Sequence, residues 1–339
     1  MARALILSPR KTMNPLLNRR KAIQTSAVLA SSISMPAIHA QERAPIKILM
    51  GFPPGGGTDL IARTIAERLR EALGQPVIID PKVGVGGRLA ADAMMAAPPD
   101  GMTYMIAPNA TPTFQTLVFG HQIKWDVLRN WTPVAALVTY PIGMAASLQT
   151  GVTNVKQLVD WTRAKGSASF GSPGAGGQNH FLGQAFAKQA GLDMNHAPYR
   201  GTTPMLTDLL GGHIPFGVTL GSDFIRQHRD GRVKLIGVFT SQRSELMPEI
   251  PTFAEQGFNI TSGNAWTGMW APPKTPLAEI VRMQAALQKA LSLPEVRQHL
   301  MTHLAVQPQY RNGEEMQQML REEIAYWQPI IKTSGYKPE

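Results

Sequence analysis

The chain has 339 residues, no cysteine and a hydrophobic share of 43 %, enough for a large buried core and, at this length, for about two domains. Its formal charge of +10 overstates its basicity: six of the 33 basic residues (Arg3, Arg10, Lys11, Arg19, Arg20 and Lys21) stand among the first forty residues with no acid, leaving 27 against 23 beyond them. Those are interspersed without a basic run, which argues against nucleic acid as a partner, and the missing cysteines exclude disulfides, thiolate metal sites, thiol catalysis and a lipid-modified N-terminus.

Residues 1–40 read as an export signal. A basic patch, Asn18-Arg19-Arg20-Lys21, precedes a small, mildly apolar stretch from Ala22 to Ala37, and Ala37-Ile38-His39-Ala40 offers a cleavage point before Gln41. The apolar part is too short and too rich in serine to span a bilayer. Arg19-Arg20 keeps the twin-arginine route open beside the ordinary secretory one.

After a short apolar strand, Ile46 to Met50, comes Phe52-Pro53-Pro54-Gly55-Gly56-Gly57-Thr58-Asp59. Ile61, Ile65, Leu69 and Leu73 then recur at helical spacing until Gly74, and Val77-Ile78-Ile79 is the next strand. The first N–H groups of a helix lack intrahelical partners and carry the positive end of its dipole. Three residues without Cβ let an anion approach them, so this strand, loop and helix suit a carboxylate or a phosphate. The competing reading is a plain tight connection capped by Thr58 or Asp59.

A second glycine-rich connection, Asp80 to Arg88, leads into a helix over 89–97, the turn Pro98-Pro99-Asp100-Gly101 and a buried strand over 102–107. The exit of that strand, Pro108 to Pro112, is polar and irregular. Such exits line ligand crevices in open α/β sheets, which makes Asn109 and Thr111 candidate donors. The apolar run from Val134 to Ala146 suits a strand passing from one domain to another. From Asn154 the pattern restarts: a helix ending near Gly166, a strand over 168–170, a loop from Gly171 to His180, and a helix from Phe181 to Ala190. Strand and helix then alternate through Tyr199-Arg200-Gly201, a helix holding Leu206, Leu209 and Leu210, a strand over 216–220, Gly221-Ser222-Asp223 with its helix, and a strand over 235–239. Trp266 to Ala271 is a candidate return strand, and three amphipathic helices follow from Pro276. The expected architecture is α/β: two lobes, each a mostly parallel sheet flanked by helices, with lobe 1 over 41–140 and 263–339 and lobe 2 over 141–262. Two such lobes, glycine loops aimed at one crevice, describe a hinged binding protein.

Five stretches carry a closer resemblance: Phe52 to Asp59 with Ala62-Arg63; Gly84-Val85-Gly86-Gly87 with Pro99-Asp100-Gly101; Gly171 to Gly176 with His180; Pro198 to Gly201 with Asp208 to Gly212; and Trp266, Gly268 and Ala271-Pro272. In these the chain resembles the Bug-type receptors, the substrate-binding family of tripartite tricarboxylate transporters. The resemblance implies a class II periplasmic binding-protein (Venus-flytrap) fold, a small carboxylate ligand (di- or tricarboxylate, acidic amino acid or aromatic acid), membrane permease subunits as partners, a monomer, and neither cofactor nor metal. Within that frame Gly55, Gly56, Gly57 and Thr58 hold one carboxylate through backbone donors, and Phe52 and Pro53 shape the wall. Ser172, Gly176 and His180 meet the far end, Tyr199 stacks on or bonds to the ligand, Arg200 pairs with it, and Ser222 and Trp266 complete the set. The competing roles are an interlobe ion pair for Arg200, a cap or core imidazole for His180 and interlobe packing for Trp266.

An enzymatic reading has little support. The loops lack Gly-Lys-Ser/Thr, Gly174-Ala175-Gly176 lacks the third glycine of a dinucleotide fingerprint, and no Gly-x-Ser-x-Gly elbow occurs. His299 and His303 lie four apart without an intervening metalloprotease glutamate, as on a solvated helix face. A periplasmic α/β enzyme acting on organic acids and a ligand-presenting sensor remain the alternatives. The loop assignment makes one direct prediction: Gly56→Val abolishes acid binding while the protein stays folded, checked by ligand titration beside circular dichroism.

Overall fold

The structure, a computed structural model, describes residues 44–260 and 263–337. The expected export signal lies outside the described residues. Among these residues no helix is long and apolar enough to cross a membrane.

The first sheet opens with β1 (Ile46–Met50), whose Ile46, Ile48 and Met50 are fully buried. The glycine loop then feeds α1 (Gly57–Leu73), which buries Ile61, Ala62, Ile65, Ala66 and Leu69 as its periodicity predicts. Gly74, in the left-handed region at φ 59°, ends α1 and returns its N–H to the Arg70 carbonyl. Next come β2 (Val77–Pro81), α2 (Arg88–Met95) and β3 (Thr103–Pro108). The chain leaves β3 through a π-helical turn over Ala110–Gln115, a wider winding than the irregular exit expected.

The apolar run after Trp131 is two strands, β4 (Thr132–Tyr140) and β5 (Ile142–Ser147), with Pro141 between them. β4 belongs to the first sheet and β5 to the second, so this run does pass from one sheet to the other. The second sheet continues with α3 (Val155–Lys165), β6 (Ala168–Pro173), α4 (Gln178–Ala190), β7 (Met194–Tyr199), α5 (Thr202–Gly211), β8 (Phe216–Leu220), α6 (Gly221–Arg229) and β9 (Val233–Val238). β10 (Ala265–Ala271), buried throughout, returns to the first sheet between β3 and β4. The three tail helices are α7 (Leu277–Ser292), α8 (Pro294–Thr302) and α9 (Gly313–Ser334). Between the last two lies β11 (Gln307–Asn312), an antiparallel edge strand on β4 that its polar sequence did not announce.

The first sheet has the order β11-β4-β10-β3-β1-β2 and the second β7-β6-β8-β5-β9. β1, β2 and β3 pair in parallel, as do β6, β7 and β8; the antiparallel pairs arise where β4, β5 and β10 pass between the sheets and where β9 and β11 close an edge. In both sheets the parallel strands end beside one another, and the helices that follow them start there.

Two packing details position that region. The Gly84–Gly87 loop is structural: the Thr111 hydroxyl donates to the Gly86 carbonyl, and a Cβ on Gly51 would stand 2.4 Å from the Cα of Gly87. Behind the π-turn, Glu323 of α9 accepts hydrogen bonds from the Thr113 hydroxyl, the Asn109 amide and the Trp266 indole. Burial raises the Glu323 carboxyl to about 7, against the pull of those three donors.

A raised carboxylate favours the folded state below its unfolded pKa, and that advantage is lost as pH climbs through the folded value. Glu323→Gln removes the titration and keeps an acceptor and a donor. Its stability relative to wild type therefore rises between pH 5 and pH 8, read from urea midpoints across that range. Gly183 supplies a second test. A Cβ there would lie 2.2 Å from Cε2 of the fully buried Phe170. Helix propensity favours Gly183→Ala by about 1 kcal/mol, but overpacking costs about 1–3 kcal/mol. The expected outcome is a lower urea midpoint at unchanged m-value.

Candidate functional site

Four helices start at one cavity of about 240 Å³ between the sheets. Its wall takes Gly56, Gly57 and Thr58 at the start of α1, Gly177 to Asn179 at the start of α4, Gly201 to Pro204 at the start of α5, and Leu220 and Asp223 on either side of the start of α6. Phe52 and Pro53 line it, as do Asn109 after β3 and Tyr140 and Ile142 on either side of Pro141. The amides of Gly57 and Thr58 find no acceptor among the described residues, because the helical ladder begins when the Leu60 N–H meets the Gly56 carbonyl. The dipoles of four helices add to that unpaired donor set, so the cavity is built for negative charge.

The two sides approach closely. A Cβ on Gly57 would stand 3.6 Å from the Leu220 Cδ2 and 4.0 Å from the Asp223 Oδ1, ordinary contact distances that bring the two lobes within reach of each other there. Asn109 donates to the Gln178 Oε1 at 2.9 Å, a direct bond across the cleft. Gln178 is 3 % exposed, and its Nε2 has no partner among the described residues. A buried amide hydrogen left unmatched costs about 1–3 kcal/mol, which an acceptor in the cavity would offset. Arg200 lines the same space, exposed and outside every ion pair of the described residues, so the interlobe salt bridge weighed for it is not formed here.

Of the other sequence candidates, Gly55, Thr111, Ser172, Gly176, His180, Tyr199 and Trp266 stand outside the wall and are held by the protein itself. The Gly55 N–H donates to the Asp59 Oδ2 at 2.9 Å, which removes it from the open amides. Asp59 also accepts from Arg63 at 2.8 Å; burial pushes its carboxyl up, but the Arg63 bond and the Gly55 amide outweigh this and hold it below the usual range. Its Oδ2 is thus taken up by its own loop and helix, while its Oδ1 is buried without a partner among the described residues and Asp59 itself lines the cavity. Thr111 serves the Gly86 carbonyl. Asn109 does line the cavity, yet its amide hydrogens go to Gln178 and Glu323.

In the second lobe, Ser172 is fully buried, with its hydroxyl 2.7 Å from the His196 Nε2. The Gly176 N–H donates to the His180 Nδ1 at 3.1 Å, so both are used inside the loop. The rings of His180 and His196 stack at 3.8 Å, and burial lowers them to about 4 and about 3. Both are neutral packing imidazoles at physiological pH. The Tyr199 hydroxyl donates to Asp208 at 2.7 Å; burial and then Asp208 push it up to about 12. Trp266 is a core residue bonded to Glu323, and Ser222 sits beside the cavity-lining Asp223 without joining it.

Residues missed as candidates include Gln178, Thr202 and Asp223. The Asp223 Oδ2 accepts from the hydroxyls of Thr219 at 3.0 Å and Thr202 at 3.3 Å. The spacing Thr219-x-x-x-Asp223 was the available signal.

The family model described as "Tripartite tricarboxylate transporter family receptor" matches residues 61–336. A protein encoded in the tcbD-tcbE intergenic region of Pseudomonas sp. strain P51 is 30 % identical over 314 residues, 90 % of each chain. BugT of Bordetella pertussis is 27 % identical over 313 residues, 92 % of this chain and 95 % of its own. Among solved structures, MatC of Rhodopseudomonas palustris with bound malate superposes with a TM-score of 0.78 at 27 % identity, covering 85 % of this chain and 99 % of its own. R. palustris Rpa4515 with adipate gives 0.82 at 26 %, covering 88 % and 100 %. With the family model matching most of the chain, from within α1 to the end of α9, the chain belongs to the tripartite tricarboxylate transporter receptor family, the Bug-type solute-binding proteins.

Proposed function

We propose that this chain captures a small organic acid in the periplasm and delivers it to the membrane subunits of a tripartite transporter, acting as a monomeric binding protein and not as an enzyme. The observation that carries the reading is the donor set of the cavity: the open Gly57 and Thr58 amides at one side and the orphan Gln178 Nε2 at the other. Each lacks an acceptor, and carboxylate oxygens supply several acceptors on a small, rigid group. The exposed Arg200 adds a bidentate donor whose charge falls on the same ligand. Two family neighbours were solved with a four-carbon and a six-carbon diacid, malate and adipate, which supports a ligand of this class and size.

Closure is the working motion: a ligand bridging α1 on one lobe and α4 on the other stabilises the joined form by its differential affinity. No imidazole lines the wall: His180 and His196 are engaged by Gly176 and Ser172 within the second lobe. The test is a thermal-shift screen of the purified protein against di-, tri- and monocarboxylic acids. A specific acid at a hundred times its Kd adds about 2.7 kcal/mol of stability, and it is recovered chemically unchanged after incubation. A flat response across the whole panel overturns the reading, and turnover of any acid replaces it with an enzymatic one.

A further inference from the structure

Two wall residues are carboxylates: Asp59, which is paired with Arg63 at 2.8 Å, and Asp223, which has no such cation among the described residues. Asp223 stands in the first turn of α6 and lines the cavity opposite Gly57. Its Oδ2 is taken up by the Thr219 and Thr202 hydroxyls, whereas its Oδ1 accepts no hydrogen bond within the described residues and faces the neighbouring lobe. No Lys, Arg or His of the described residues forms an ion pair with it, and Arg200 on the same wall is not within bridging distance. An enclosed carboxylate without a cation is expensive unless something in the cavity compensates it.

On the reading that the cavity holds an organic acid, we propose that Asp223 is a specificity-determining residue that recognises a protonated nitrogen on the ligand, so that the occupant is an amino acid-like zwitterion and not a plain diacid. The arrangement is complementary at both ends. The ligand carboxylate takes the Gly57 and Thr58 amides, and its ammonium meets the Asp223 Oδ1 a few ångströms away on the facing lobe. A second carboxylate at that position would confront the half-buried Asp223 as a like charge, which penalises diacids. A neutral hydroxyl satisfies the acceptor but leaves its charge uncompensated. Burial raises the Asp223 carboxyl to about 6 against the pull of the two threonine hydroxyls, so it is still mainly ionised at neutral pH and available to a cation.

The test titrates the whole protein at pH 7.5 with matched pairs on one carbon skeleton: aspartate against succinate, glutamate against glutarate, with malate as the hydroxyl-bearing control. The expected result is at least tenfold tighter binding of the amino-bearing member of a pair, with malate between. Asp223→Asn is expected to reduce that ratio at least tenfold, mainly by weakening the amino-bearing member. Asp223→Ser serves the same purpose should the asparagine variant fail to fold. Equal or tighter binding of the plain diacids by wild type overturns the proposal while leaving the carboxylate reading intact. So does a variant in which every acid weakens by the same factor, because Asp223 would then only position α6. Absence of binding by every acid tested overturns both.

Discussion

The structure depends on where four helices begin. α1, α4, α5 and α6 belong to two different sheets, yet all start at one small cavity, so their unpaired amides and dipoles reinforce one another there. Parallel strands make this possible. A strand, a tight loop and a helix that packs back on the sheet always leave the helix start at the carboxyl edge, and two such sheets facing one another bring the edges together. The crossing at Pro141 and the return of β10 fix the two edges in register with few residues.

Glycine is used at two levels within this plan. Gly57 lies on the cavity, where a Cβ would stand in ordinary contact with the facing Leu220 and Asp223. Gly51 and Gly87, by contrast, let two backbone segments touch beneath the site, and Thr111 locks that contact. The first device shapes recognition and the second holds the recognition loop still. Glu323 extends the support: one buried carboxyl gathers the π-turn and β10 onto α9, so the exit of β3 is held from behind.

Much of this was legible in the residues. Helical spacing in 61–73, the strands at 46–50 and 216–220, the crossing run and the first glycine loop all follow from local pattern, and the structure has them where the pattern puts them. The far wall was not legible, for a reason of phase. The sequence suggests that the second helix of this kind starts at Phe181, whereas α4 starts at Gln178. Three residues is most of a turn, so His180 rotates into the lobe and Gly177, Gln178 and Asn179 take the cavity. Strand parity misplaces Ser172 in the same way, since neighbouring residues of β6 face opposite sides and Ser172 meets His196 on β7. In α6 the difference is a single residue, Asp223 in place of Ser222. β11 escaped because Gln307-Pro308-Gln309-Tyr310-Arg311-Asn312 carries no apolar alternation, as suits a strand at a sheet edge.

The end of the described chain adds a mechanical element to this hinge. α9 packs on the first sheet, yet Tyr336, just past its last turn, lies edge-on to the rings of His180 and Phe181 in the other lobe, 5.1 and 5.7 Å away. Beside the Asn109 to Gln178 bond and the stack of Phe114 on Phe181 at 6.2 Å, this is a further non-covalent tie between the lobes, well along the chain from the crossing strands, so drawing α4 away from the first lobe also has to part these rings.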